Sequence, residues 1–490
     1  LGQLGLFANS ADGERKALRA TLILLLTTTL LHLLVGGRIA LSVDEAHYAL
    51  YGLKLDWSYF DHPPMVGWLQ AAVLPLSREE WALRLWPALL MALGGGLLYR
   101  LTRELFSGQS PWLAFVAVLI LQSAVIVQLL GIALVPEVPL LVFGLAAALS
   151  LWQAVNRGEW RDWLLLGLLL GLAGLSKYTA VTLALSVVLF ILWQGRWRLL
   201  LTPRPWLAAL VALLTILPVL YWNAGHDWIS FRYQLGHGAP DRVWEAGRFA
   251  RAQAGQLLAY APGVYLFGLI ALVCAVRRPR QPERRLLLSL ALPPLLLFGW
   301  ASGFEETLPH WTLLAFAFLA PLSAQWLWRH WQRRWVRITA IGSLLYSTVL
   351  VLLIHSQFLL PWLPFKPLQH PLSDLYGWQV AAERAASLNR GRDTPLLVGN
   401  WSLASRIAWY ARPLPVQVTD ARVDQFDLWF GSPQPGDSGL LIVPDYYEGR
   451  EQVSGLAKFE QCKLVERLSV PLGETPVHRF SFYDCIGYRG

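Results

Sequence analysis

From Ser42 to Pro64 the chain reads SVDEAHYALYGLKLDWSYFDHPP. Asp44, Glu45, His47, Asp56, Asp61 and His62 crowd into this short interval, with a long apolar segment on either side. The surroundings decide what such a polar island means. Of 490 residues, 55% are hydrophobic and only 15% charged, and 25 are tryptophan. The mean hydropathy is +0.42. A water-soluble chain this apolar could not cover its own surface, whereas one embedded in a bilayer need not, and tryptophan favours the membrane interfaces. The sequence therefore predicts a polytopic α-helical membrane protein. The formal charge of +9 is no sign of nucleic acid, because the arginines stand in short clusters between apolar runs of spanning length.

Apolar segments able to cross a membrane lie near 17–36, 81–100, 111–131, 138–155, 162–176, 179–194, 205–222, 255–276, 286–302, 311–328 and 337–357. That predicts about 11 spans, each needing roughly 20 apolar residues. The first follows ADGERKALR and is too long for a signal-peptide core, so it is expected to stay as an anchor. Alternate connections carry Arg15, Lys16 and Arg19, then Arg100 and Arg103, Arg157 and Arg161, the 196–204 arginines, the 277–285 arginines, and Arg329 to Arg337. The positive-inside rule puts these in the cytoplasm. The opposite connections hold 42–64, GIALVPEVP, SKYT, WNAGHDW and GFEETLPHW. Every acidic or histidine-bearing candidate thus falls on one extracytoplasmic face, and an odd number of spans places the C-terminus there too.

After about Pro361 the composition changes. TPLLVGN, PVQVTD, DLWFG, GLLIVP and HRFSFYDC read as short strands, and DLYGWQVAAERAASLNR as an amphipathic helix with Ser373 as its cap. The expected organisation is a membrane catalytic domain over 1–360, with its first outer loop at 37–80, and a soluble periplasmic α+β domain over 361–490. Cys462 and Cys485 fall in the latter, either as a disulfide or as two free thiols, since spacing alone fixes neither.

Asp44 and Glu45 open the segment EAHYALYGL, where a carboxylate could act as a base, hold a divalent cation, or merely cap a helix. Pro63 and Pro64 stiffen a turn that presents Asp61 and His62 at a fixed place. Two acid clusters presented this way point to a site. His47 could ligate a cation with Glu45 or Asp61, although no tight metal-ligand spacing requires one.

DEAHYALYGLKLDWSYFDHPPMVGWL resembles the first outer loop of bacterial members of the protein mannosyltransferase superfamily. These are GT-C glycosyltransferases, the group that includes the aminoarabinose transferase of lipid A. The likeness continues in order through RLWPALL, VPEVPLLVFG, GLAGLSKYTAV, PVLYWNAGHDWISFRYQ, PHWTLLAF, DLYGWQVAAERA and DQFDLWFG. It implies a GT-C-like fold and an inverting transfer of a sugar from a polyprenyl (undecaprenyl) phosphate to an extracytoplasmic acceptor, an envelope lipid or polysaccharide.

By the same resemblance Asp44 matches the family's base, with Glu45 and Glu137 as further catalytic carboxylates, Glu137 to orient the base or the acceptor; no general acid is demanded. Lys177 and Arg84 would hold the lipid phosphate, because positive charge on a leaving phosphate helps it depart. His47, Tyr59, Asp61, His62, His226, Asp227 and His310 would contact substrate. The family more often carries Asp where this chain has Glu137. Each residue also has a structural alternative: Lys177 could snorkel to headgroups, Arg84 could anchor at the interface, and His226, Asp227 and His310 could serve only local structure.

The chain contains no GxxxxGK[ST], no dinucleotide fingerprint in a βαβ unit, no HExxH and no paired CxxC. A lipid or sugar transporter is the rival reading, but its charges would sit near the midplane and not at one face.

Overall fold

The computed structural model describes residues 11–238, 243–370 and 373–490. The chain divides into two compact units. The first comprises the residues up to Gly36, His62–Val66 and Arg84–His355; the second comprises Gly37–Asp61, Gly67–Leu83 and Ser356–Gly490.

The first unit is helical. All 11 apolar segments form helix, but among the described residues only 7 helices are long and apolar enough to cross a membrane, or up to 8 with one bent pair. The difference comes from breaks. Residues 111–131 split into Trp112–Gln122 and Val125–Leu130, with extended backbone at Ala124. The pair Ala246–Ala259 and Pro262–Arg277 bends by 114° at a corner where Ala261 has φ 68° and Pro262 starts the new helix. Trp160–Ser176 stops short at 17 residues, and Tyr178–Trp193 is likewise brief.

Burial sorts the long helices. Glu137–Arg157 and Pro309–His330 are buried over 83% of their apolar windows, whereas Ala11–Gly36 and Pro203–Ala224 reach only 22%. Leu22, Ile23, Leu26, Leu30 and Leu34 of Ala11–Gly36 are exposed. An apolar helix left uncovered by protein needs lipid against it, and the chain is a multi-span membrane protein. Inside the bundle, small residues let backbones approach, since lipid supplies no hydrophobic force to press helices together. A Cβ on Gly167 would lie 2.3 Å from the Ala208 carbonyl oxygen, and one on Gly171 would lie 2.4 Å from Thr215 Cβ. Trp160–Ser176 and Pro203–Ala224 therefore pack nearly backbone to backbone.

The second unit carries a five-stranded sheet: β1 Leu396–Val398, β2 Val416–Val418, β3 Gly439–Pro444, β4 Phe459–Leu472 and β5 Thr475–Tyr488, in the order β2-β1-β3-β5-β4. β1 runs parallel to β2 and β3, and β5 runs antiparallel to β3 and β4. A disulfide joins Cys462 to Cys485, directly opposed across β4 and β5.

Two local expectations fail here. DLWFG is not a strand but part of the helix Gln425–Phe430. Asp424 accepts from the Phe426 amide and Asp427 accepts from the Asp424 amide, and that reciprocal cap outweighs the aromatic residues' strand preference. Ser373 caps nothing. The helix Trp378–Leu388 starts after Gly377 at φ 81°, and Ser373 opens a separate 3-10 turn.

Candidate active site

In the first unit the polar residues meet at helix ends. Pro136 begins the helix Glu137–Arg157, so Glu137 occupies its first turn, where a carboxylate is favoured by the helix dipole. Lys177 sits where Trp160–Ser176 ends. Its backbone is extended (φ −156°, ψ 141°) between that helix and the turn Tyr178–Ala180. That break directs the side chain inward, and Nζ donates to Glu137 Oε1. His310 occupies the 3-10 turn Pro309–Thr312, with Nε2 3.6 Å from the same carboxylate oxygen. The Lys177 ammonium also lies 5.3 Å from the centre of the Trp311 ring.

Glu137 is 3% exposed and Lys177 9%. A cation enclosed to that degree is not snorkelling to headgroups. Tyr260, at the bent corner, reaches the same turn: its hydroxyl donates to the Pro309 carbonyl and lies 3.2 Å from Thr312 Oγ1. Sequence reading missed Tyr260, and no polar motif flagged it. Arg84 is 1% exposed, so it is not an interfacial anchor, and its Nη1 donates to the Gly36 carbonyl at 2.5 Å. His62 belongs to this unit and is half-buried.

His226 and Asp227 are exposed on the turn after Pro203–Ala224. The His226 ring stacks on Trp222 at 3.8 Å and its Nδ1 meets the Trp222 carbonyl at 2.8 Å. Asp227 and Trp228 have φ of 52° and 57°. The most enclosed polar side chain of WNAGHDW is Asn223, which donates to the Val219 carbonyl and accepts from the Ser230 amide. These bonds shape a turn.

In the second unit Asp44 and Glu45 lie in the first turn of the helix Val43–Leu53. Glu45 Oε2 accepts from both the amide and the hydroxyl of Ser42, at 3.0 and 2.9 Å. Ser42 and Glu45 thus close the helix start, and Asp44 is not its cap. Asp44 is half-buried, Glu45 wholly buried.

One turn on, His47 has Nε2 3.8 Å from Asp61 Oδ1, and its Nδ1 lies 3.1 Å from Ser405 Oγ. The Tyr51 hydroxyl donates to Asp61 Oδ1, and burial pushes that phenol's pKa well up, so it stays a donor. Tyr59 is fully buried and stacks on Tyr51 at 3.6 Å, and its hydroxyl donates to the Tyr51 carbonyl while accepting from the Asp56 amide. It ties the loop together. Trp401, Phe426 and Trp429 surround His47, with ring centres 5.4 to 6.0 Å away. Tyr51 was legible in principle, standing four residues after His47 on the same helix face. Ser405 and the aromatics, more than 350 residues further on, were not.

Among the described residues no group of three or more His, Cys, Asp or Glu could hold a metal ion.

The family model described as dolichyl-phosphate-mannose-protein mannosyltransferase matches residues 61–222. The lipid A galacturonosyltransferase RgtD of Rhizobium johnstonii is 28% identical over 342 residues, 65% of this chain and 67% of its own. The lipopolysaccharide core galacturonosyltransferase RgtA of the same organism is 26% identical over 190 residues, 38% of each chain. In fold, the crystal structure of ArnT from Cupriavidus metallidurans bound to undecaprenyl phosphate superposes with a TM-score of 0.65 at 16% identity, covering 94% of this chain and 97% of that one.

Proposed function

We propose a donor, an acceptor class and a base for this chain, which is a GT-C glycosyltransferase of the protein mannosyltransferase superfamily. The donor is a sugar on undecaprenyl phosphate or a related polyprenyl phosphate. The acceptor is an envelope glycolipid, lipopolysaccharide above all. Galacturonic acid is the first sugar to try, because RgtD and RgtA carry it in their names.

The observation that carries this reading is the enclosed Lys177–Glu137 pair with His310 beside it, at the ends of membrane helices. A buried ammonium in such a place is costly and marks function. Lys177, with Arg84, is assigned to the lipid phosphate, and Glu137 holds the ammonium in place before the donor arrives. Asp44 is the proposed base. In the transfer, the acceptor hydroxyl oxygen forms a bond to the anomeric carbon as the carbon–oxygen bond to phosphate breaks. The hydroxyl proton passes to the Asp44 carboxylate, the polyprenyl phosphate leaves with the electron pair, and the anomeric centre inverts. Asp44 is half-buried at the start of its helix, where Glu45 and not Asp44 takes the Ser42 bonds. The transfer is assigned to the periplasmic side of a bacterial inner membrane, in keeping with the arginine distribution along the chain.

Mass spectrometry of envelope glycolipids and lipid-linked sugars tests this in cells carrying the intact protein, Asp44→Asn, or a deletion. One glycolipid should lose a fixed sugar mass in both altered strains while a polyprenyl-phosphate sugar accumulates. An unchanged profile in the Asp44→Asn strain removes Asp44 as the base.

A further inference from the structure

At the far end of the helix Leu313–His330, about 30 Å from His310, the first unit holds a second polar cavity. It has a volume of about 330 Å³ and is walled by Arg277, Arg278, Arg284, Arg329, His330 and Gln325, from Pro262–Arg277, Pro282–Ala301 and Leu313–His330. The wall is rich in donors and poor in acceptors. Among the described residues no acidic side chain lies within ion-pair distance of these arginines, 4.0 Å. The neighbouring Arg285 is occupied differently, donating to the carbonyls of Pro279 and Trp193.

Gln325 gives the cavity its direction. Its Oε1 accepts from Arg284 Nη2 at 3.1 Å, while its amide Nε2 is buried with no hydrogen-bond partner. The residue is only 3% exposed. A buried N–H without an acceptor is unfavourable by roughly 1–3 kcal/mol, and clustered guanidinium groups repel one another. A multidentate anion answers both, and guanidinium geometry suits phosphate oxygens. Around the cavity Val273 and Val276 are 47% and 46% exposed, as side chains facing lipid are. Trp326 joins the wall, and tryptophan prefers the headgroup level. Basic pockets between membrane helices take lipid headgroups.

We infer that this cavity binds the phosphodiester headgroup of an anionic phospholipid. It is a site separate from the sugar transfer and does not depend on the donor assigned above.

Native mass spectrometry of the full-length protein in mild detergent tests it, with phosphatidylglycerol and phosphatidylcholine of identical acyl chains offered in competition. The intact protein should retain phosphatidylglycerol preferentially. The double variant Arg278→Gln with Arg329→Gln should weaken that retention by about thirtyfold, two cationic contacts being removed. A control with Arg100→Gln and Arg198→Gln should match the parent. Gln325→Glu, which supplies Arg284 with an internal acid, should also expel the lipid, and it serves as the second variant should the double one misfold. Equal retention of the two lipids by the intact protein, or an unchanged preference in Gln325→Glu, overturns the inference. So does a rise in thermal midpoint with inorganic phosphate and none with phosphatidylglycerol, which makes the ligand a soluble phosphate.

Discussion

Lys177 donates its ammonium hydrogen bond to Glu137, and both side chains are almost wholly enclosed. Breaking such a pair from one side strands a buried charge, which typically destabilises by about 3–5 kcal/mol, whereas an apolar replacement of both partners is far milder. Glu137→Gln should therefore lower the thermal midpoint sharply. Glu137→Leu combined with Lys177→Met should recover most of it and still leave no transfer activity. A double variant no more stable than the single one would show that the pair is not the unit.

Asp44 and Glu45 are adjacent in sequence and separable by experiment. Glu45→Gln loosens the bonds to Ser42 and should cost about 1 kcal/mol of stability, with transfer reduced only in proportion. Asp44→Asn should lower kcat by about 10²- to 10⁴-fold, the usual contribution of a general base, far beyond any loss of stability it brings. Thermal unfolding and single-turnover transfer, measured on both variants, distinguish the two roles. A loss of transfer in Asp44→Asn no larger than in Glu45→Gln would mean that Asp44 is structural.

Asp424 provides a pH test in the second unit. Burial pushes its carboxyl up to about 7, with Asp427 and Asp420 adding to the rise and the Phe426 amide and His47 opposing it. Between its ordinary pKa near 3.8 and 7 the folded chain therefore holds a proton that the unfolded chain has released. Stability falls as pH rises across that window and levels off above it. Asp424→Asn keeps the cap oxygen and removes the charge. It should stabilise the fold at pH 8, by at most on the order of 4 kcal/mol, seen as a higher thermal midpoint, and change little at pH 4. An equal effect at both pH values would rule out ionisation as the cause.

The approach of Trp160–Ser176 to Pro203–Ala224 leaves no room at Gly171. Gly171→Leu should destabilise by at least the roughly 1–3 kcal/mol of ordinary overpacking, seen as a lower unfolding temperature in detergent. Gly255→Leu, where a Cβ would meet nothing within 4 Å, is the matched control.

What the sequence made legible followed from local pattern. Runs of leucine announced the helices, and arginine clusters their ends. DE, SKYT and PHW marked residues that the structure does hold at element boundaries, since a polar side chain there must be paired or solvated. The helix breaks at Ala124 and Ala261 were hidden, because neither carries glycine, and only the proline at 262 hinted at the second. DLWFG misled because aromatic content favours strand while the deciding cap lay in the aspartates at 424 and 427. Tyr260, Ser405 and Trp429 were invisible for a simpler reason: their partners are brought to them by the fold.

The helix Val43–Leu53 is completed by residues made much later. Ser405 meets His47, the Phe60 amide donates to Gln425, and the Leu41 amide donates to Tyr410, across as many as 369 residues. During synthesis that loop has none of these neighbours until more than 350 further residues have emerged. Order in the loop that bears Asp44 thus waits on translation of residues 405–425, so a chain released before them would reach the membrane with its helices in place and Asp44 on an unsupported loop.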